Sequence, residues 1–410
     1  MFKLMNYAIM LIFLPVSFLS EKKVSEKRVA EVHQKALTVD THVDTPMALL
    51  RKGFDVGRRN SVPESRVDFI RMKEGGLDAI FFAAFTTQRE LTPESTEAAY
   101  RLAQQMIDST YAVCSKYSNL TEIALKSTDA KTLKAKGKSA VYIGMENGYP
   151  LGTDLSRVKE FYDLGVRYIT LSHSKHNEIC DSSSDQKEPL HNGLSSFGKE
   201  VVAEMNRLGI IVDVSHVSDK SFYDIISLSR APVIASHSSV RSVARHHRNM
   251  NDEMIKALAK NGGVIQICLL DDYVKDPDST SLHFQKKQEL RKIYNTLFDS
   301  MTEDQKQEFR KAWTDVDKEY PKKLPTVRDL VDHIDYVKNL VGIDYVGIGS
   351  DFDGGGGLSD CQDVGQFPNI TREMLTRGYT EEEIIKVWGG NFFRVFSQVE
   401  QLASHIPESH

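Results

Sequence analysis

The sequence predicts a (β/α)₈ barrel, an α/β fold of the TIM type, and three observations carry that prediction. Eight short apolar, β-rich runs recur between Leu37 and Phe352, and polar or amphipathic helical stretches separate them. Histidines and carboxylates gather at the C-terminal ends of the runs. Near-continuous apolar runs mark strands buried on both faces, as in a parallel sheet. Strand alternating with helix eight times is the barrel pattern.

In chain order the runs are "LTVDTHVD" (37–44), "LDAIFFAAF" (77–85), "SAVYIGMEN" (139–147) and "VRYITLSH" (166–173). They continue with "GIIVDVSH" (209–216), "APVIASHS" (231–238), "GGVIQICL" (262–269) and "YVGIGSDF" (345–352). Between them, 93–113 carries apolar residues at helical spacing, and 194–209 ends on Gly209, a usual helix C-cap. Thr380 and Glu383 open the last helical stretch, 380–396, as a capping box. One connection is longer than a simple crossover. Residues 271–330, before the eighth strand, form a highly charged, helix-prone insertion. It is read as a solvated helical excursion, with a lid or a contact in a homodimer as the functional alternative.

Composition excludes some classes. The 410 residues carry a formal net charge of −5 with the cations spread along the chain, so no nucleic-acid partner is expected. Cys114, Cys180, Cys268 and Cys361 lie far apart with no C-x-x-C pair. Four buried thiols are expected, not a zinc ribbon or a disulfide scaffold. Residues 1–20 place Lys3 ahead of an apolar run from Tyr7 to Leu19. That run is short for a membrane span and suits a signal peptide, the alternative being an uncleaved N-terminal anchor. The expectation is an exported protein (periplasmic, secreted or membrane-associated through this segment), with 21–410 a single barrel domain.

Barrel chemistry sits where the βα-loops open into a common mouth. At that level the runs supply His42 with Asp44, then Glu146, His173, His216, His237 and Asp351; the second and seventh end apolar. Each residue has an ordinary structural reading. Asp44 would cap the helix that Pro46 begins, His216 and His237 would bond backbone, and Asp351 would serve the glycine turn. Together they would bring imidazoles and carboxylates into one mouth, where they must be paired or ligated. Histidines with carboxylates form a borderline-soft divalent site, and zinc is the first choice. There are too many donors for one tetrahedral ion. Two ions fit, with His42 and Asp44 on one, His216 and His237 on the other, and Glu146 bridging. Asp351 is left as proton carrier and His173 as an electrophile near the scissile carbonyl. Residues 239–252 add Arg241, Arg245, His246, His247 and Arg248, from which a substrate carboxylate could find its partner.

The motifs "DTHVD", "GMENG", "YITLSH" with "CDSS", "VDVSHVS", "ASHSSVRSV" with "RN", "VGIGSDFDG" and "GGNFFRVF" occur in that order. From about Leu37 to Phe396 the chain resembles the membrane (renal-type) dipeptidases, zinc enzymes of the amidohydrolase-like barrel group. The resemblance implies that His42 and Asp44 bind a first zinc, His216 and His237 a second, and that Glu146 bridges both. It also implies that His173 contacts the substrate near its carbonyl, Arg248 holds the terminal carboxylate and Asp351 handles the proton. Known members cleave dipeptides to free amino acids and often tolerate a D-residue at the C-terminal side; some open β-lactams. The segment after His173 and the loop 271–325 differ among relatives and are expected to shape the pocket. Animal members carry a C-terminal lipid anchor, which "ASHIPESH" does not lead one to expect. A deaminase or phosphotriesterase-like barrel would place a carboxylated lysine where Glu146 stands. A catalytically silent binding barrel would have lost ligands that are all present.

Overall fold

The computed structural model describes residues 24–62 and 64–405. The apolar segment 1–20, with its expected export signal, lies outside them. Nine strands occur in the described residues: β1 (Val39–Val43), β2 (Ala79–Phe85), β3 (Thr121–Ile123), β4 (Ser139–Glu146), β5 (Val166–Thr170), β6 (Ile211–Asp213), β7 (Ile234–Ser238), β8 (Val264–Ile267) and β9 (Val346–Ile348). Eight form a parallel sheet in the order β1-β2-β4-β5-β6-β7-β8-β9. A parallel bridge between Val43 and Phe352 joins its ends. There Asp44 N–H donates to Phe352 O at 2.9 Å and Asp351 N–H donates to His42 O at 3.0 Å. The result is a nearly closed (β/α)₈ barrel.

All eight predicted runs contain a barrel strand. The ninth, β3, pairs with the first half of β4 at Ser139–Val141, while β5 pairs with the second half at Ile143–Glu146. Only Thr121 of its three residues is fully buried, so no apolar run announces it.

Helices cover the outside. Pro93–Lys116 and Ser196–Leu208 fall where periodicity places them, the second ending at Gly209 with φ +83°. The Thr380 capping box is present, and a π-helical turn over Lys386–Gly390 carries the chain into Asn391–Ala403. Inside, Phe81 stacks on Tyr142 with centroids 4.8 Å apart and on Tyr168 at 5.3 Å. Phe392 and Phe396 of the last helix meet Phe81 edge-on. This aromatic column fills the barrel and forms the floor beneath its mouth.

The long connection contains helices Leu282–Leu297 and Glu303–Glu319, while Val327–Val341 is already a barrel helix with a buried apolar face. Ring contacts among Tyr294, Phe298, Phe309 and Trp313 hold the pair together. A cavity of about 1400 Å³ separates this hairpin from the barrel and reaches Gly355 in the loop after β9. All four cysteines are buried, free thiols.

Two buried histidines away from the mouth tie stability to pH. His333 accepts from Val240 N–H at Nδ1 (3.0 Å) and its Nε2 lies 2.8 Å from Val274 O, so the neutral ring satisfies both contacts. His33 bridges Thr371 Oγ1 and Gly75 O at 2.7 and 2.8 Å. Burial lowers both from 6.5 to about 4. Between those values the unfolded chain binds more protons, so the stability present above pH 6.5 is lost as pH falls toward 4. Each residue is expected to cost on the order of 2 kcal/mol at pH 5. Urea midpoints at pH 7.5 and 5.0 check this. A His33→Gln/His333→Gln double variant with the wild-type pH slope would reject the assignment.

Candidate metal centre

The four predicted histidines converge on one point, the carboxylate of Glu146 at the end of β4. Its Oε1 lies 3.0 Å from His216 Nε2, 3.4 Å from His237 Nε2 and 3.7 Å from His173 Nε2. Its Oε2 lies 3.5 Å from His42 Nε2, which in turn is 3.9 Å from Asp44 Oδ2. His216 and His237 face each other Nε2 to Nε2 at 2.8 Å. Every one of these residues is buried except His173, whose side chain keeps 24% of its exposure and is the open member. The Phe85 ring, at the end of β2, lies 4.7 Å from it.

Backbone geometry brings the loop residues in. Strands β6 and β9 stop three residues before His216 and Asp351. Both then take left-handed backbone, φ +70° and +59°, as does Asn147 after Glu146 at +77°. Side chains rarely adopt that conformation, and its clustering here marks a mouth whose shape is held by the surrounding structure. The Asp351 carbonyl accepts from the amides of Gly354, Gly355 and Gly356, which leaves its carboxylate to the site. A Cβ on Gly354 would lie 2.0 Å from Asp44 Oδ2 and 2.3 Å from Asp351 Oδ1, so only glycine lets the two carboxylates share this corner.

The ordinary readings of these residues do not account for them. Asp44 makes no side-chain cap bond. Asp44 Oδ1, His42 Nε2 and His216 Nδ1 are buried without a hydrogen-bond partner. Electrostatics repeats the message. Burial opposes protonation of His42, yet Glu146, Asp44 and Asp351 together hold it up at about 10. Burial drives His216 and His237 well below the ordinary histidine range, with neighbouring cations adding to it. Burial raises Asp44, and Glu146 adds to that. Bare imidazoles and carboxylates have no mutual pairing that satisfies them all, whereas bound cations would. Among the described residues three donor groups have their ligand atoms within 4.8 Å of one another: His42–Glu146–His237, Glu146–His173–His216 and His42–Asp44–Asp351. The donor set therefore fits a divalent metal, and the third group draws Asp351 toward the ion that His42 and Asp44 would hold.

Among the five basic residues of 239–252, the structure separates one. Arg241 is spent on Asp219 with two contacts of 2.7 Å, and Arg245 is exposed beside Asp276. Arg248 is 4% exposed, reaches His237 O at 3.2 Å and leaves Nε unpaired. Its guanidinium lies over the Tyr273 ring.

A supporting layer was not among the predicted residues. Asp213 Oδ1 accepts from Ser215 and Ser236 amides, and its Oδ2 accepts from Ser236 Oγ and Thr170 Oγ1. Asp40 repeats the pattern: Oδ1 accepts from the His42 and Ser350 amides, and Oδ2 from Ser350 Oγ at 2.5 Å. Burial lifts the Asp40 carboxyl to about 6 against these bonds. Tyr168 lies 2.7 Å behind His42. The signal was legible in part, since "VDTH" and "VDVSH" each set an aspartate just ahead of a histidine in an apolar strand.

Fold and centre together define a barrel metallohydrolase, and comparison with known proteins narrows the class. The model of the membrane dipeptidases (peptidase family M19) matches residues 26–410, and the chain belongs to that family, hydrolases that act on dipeptides. It is 33% identical over 344 residues to dipeptidase tcpJ of Claviceps purpurea (strain 20.1), covering 82% of this chain and 70% of that one. It is 31% identical over 392 residues to dipeptidase 3 of Mus musculus, covering 93% and 68%. The probable dipeptidase PvdM from Pseudomonas aeruginosa superposes with a TM-score of 0.83 at 30% identity, over 92% of this chain and 98% of that one. A metallo peptidase from Rhodobacter sphaeroides, solved with a phosphinate mimic of the dipeptide L-Ala-D-Ala, shares the fold at TM-score 0.71 and 21% identity, over 88% and 99%. Among the described residues no helix is long and apolar enough to cross a membrane.

Proposed function

We propose that the chain hydrolyses dipeptides at a binuclear zinc centre and tolerates a D-residue at the C-terminal side. The observation that carries the reading is the single Glu146 carboxylate at the focus of His42, His173, His216 and His237. In this reading His42 and Asp44 would hold one zinc, His216 and His237 the other, with Glu146 bridging. Zinc held there would supply polarisation of the scissile carbonyl and a lowered pKa for the attacking water. The chain's own residues do the rest. Asp351 takes the water's proton on a carboxylate oxygen and passes it to the leaving amine, as base and then acid. His173, the open member of the cluster, donates from Nε2 toward the developing oxyanion. Arg248 pairs with the substrate's terminal carboxylate and so limits length to a dipeptide. A guanidinium reads that charge without reading the configuration of the carbon bearing it, which supports D-residue tolerance.

Arg248→Ala is expected to raise KM by about ten- to a hundredfold, the worth of a charge-assisted bond, with a smaller change in kcat. Arg248→Lys should recover only part of it. An unmoved KM in steady-state kinetics would take Arg248 out of the substrate's reach. The reading as a whole is tested by hydrolysis of a dipeptide ending in a D-residue, its L counterpart and a tripeptide, with and without a chelator. Chelator-sensitive cleavage of both dipeptides and not the tripeptide is expected; folded, zinc-replete protein that cleaves none of them ends the proposal. Export through residues 1–20 belongs to the same proposal and is checked by fractionating cells that express the full chain.

A further inference from the structure

The two sides of the centre are supported by different chemistry. His237 Nδ1 lies 2.8 Å from Ser236 Oγ, and that hydroxyl donates to Asp213 Oδ2 at 2.6 Å. With its proton committed to Asp213, Ser236 receives the His237 Nδ1–H and leaves Nε2 with its lone pair toward Glu146. The chain of bonds ends on a buried carboxylate. His42 is backed instead by a neutral phenol, with Nδ1 2.7 Å from Tyr168 Oη and Nε2 buried, unpartnered and aimed between Glu146 and Asp44.

Tyr168 has no freedom to move. It is fully buried and stacked on Phe81, which is itself stacked on Tyr142. On the paired strand, a Cβ at Gly144 would lie 2.2 Å from Tyr168 Cζ, so glycine there makes the space the ring occupies. The barrel interior thus delivers one hydroxyl to one nitrogen of one histidine. Imidazole that ligates through Nε2 carries its proton on Nδ1, and the group accepting that proton sets tautomer and ring orientation.

We propose that Tyr168 is the positioning residue of one metal position alone, fixing the ring and tautomer of His42 while the Asp213–Ser236 pair does the same for His237. The inference rests on the two-ion reading of the preceding section and deepens it: the two positions are tuned by separate outer partners, one neutral and one anionic.

The test is a titration of metal-free protein with Co²⁺, followed by visible absorption and calorimetry, in wild type, Tyr168→Phe and Ser236→Ala. Tyr168→Phe keeps the ring and removes only the hydroxyl. It is expected to weaken one of two binding steps by about ten- to a hundredfold and leave the other in place, while Ser236→Ala weakens the other step. Two unmoved steps in Tyr168→Phe, or both weakened together as a mere packing defect would do, overturn the proposal. ¹⁵N imidazole spectra of Zn²⁺-loaded wild type give an arm that needs no variant. His42 protonated at Nδ1 and ligated at Nε2 is required, and the opposite tautomer overturns the assignment. A single Co²⁺ step in the wild type overturns the two-ion reading, a failure distinct from an unmoved step in Tyr168→Phe.

Discussion

Glu146→Gln is expected to cut dipeptide hydrolysis by more than about a hundredfold, because in the proposed two-zinc reading it would remove a ligand shared by both ions, which exceeds the cost of losing an outer partner. It is also expected to reduce metal content below two ions per chain. The substitution is nearly isosteric, so packing at the end of β4 is kept while the chemistry changes. One carboxylate oxygen now faces three imidazole nitrogens within 3.7 Å and the other faces His42 at 3.5 Å. An amide supplies one neutral acceptor and turns two donor hydrogens on the remaining rings, so it cannot serve both sides. In the metal-free chain the change also has a titration signature. Burial opposes ionisation of Glu146, but His42 and His173 hold it well below the carboxylate range, and Glu146 is the largest favourable partner keeping His42 near 10. With glutamine in place the His42 titration is expected to move down. Elemental analysis and histidine NMR on the apo variant measure the two effects. Two retained ions with retained activity would remove Glu146 from the centre.

How much of this was legible in the chain follows from what each kind of residue advertises. Barrel strands buried on both faces are mostly apolar, so all eight appear as runs, whereas β3 rests against one half of β4 and needs only Thr121 buried. The last helix was legible from the Thr380 cap, but its π-helical turn was not; it falls where Gly389 packs so close to Leu37 O that a Cβ would lie 2.0 Å from it, a long-range contact that periodicity does not encode. In the centre, each predicted residue was visible as a polar interruption at the end of an apolar run. Convergence is a property of the closed barrel, which makes neighbours of His42 and Asp351 although 309 positions separate them.

The supporting residues were harder to read than the centre, for a physical reason. Tyr168 reads as an ordinary large core residue, and most of its ring is one; the hydroxyl's contact with His42 depends on a stacking arrangement that no periodicity encodes. Asp213 and Asp40 look like strand carboxylates until Ser236 and Ser350 arrive from adjacent strands to satisfy them. Arg248 could not be told from its four basic neighbours by type, and burial separates it.

Asp351→Asn is expected to lower kcat by about a hundred- to ten-thousandfold, the usual worth of a positioned acid–base group, with little change in KM and with metal content kept. Two roles compete for this carboxylate. It belongs with His42 and Asp44 to a donor group that could hold an ion, and it is the one carboxylate of that group that its loop, turning at φ +59°, brings in from the far side of the barrel seam. Burial raises it to about 7, against the pull of His42, which suits a group that must both take and return a proton. The sign of the pH effect follows. A base works deprotonated, so kcat/KM rises with pH through its pKa and levels above it. Bound cations favour the ionised form, so in the loaded enzyme this limb lies below pH 7. Asp351→Asn should therefore erase the acidic limb as well as the rate, since asparagine has no proton to exchange. Metal analysis decides between the roles. If the variant loses an ion in step with its activity, Asp351 is a ligand of the His42–Asp44 position, and the proton must travel by another group at the mouth. His173, the one member open to solvent, is then the residue to replace.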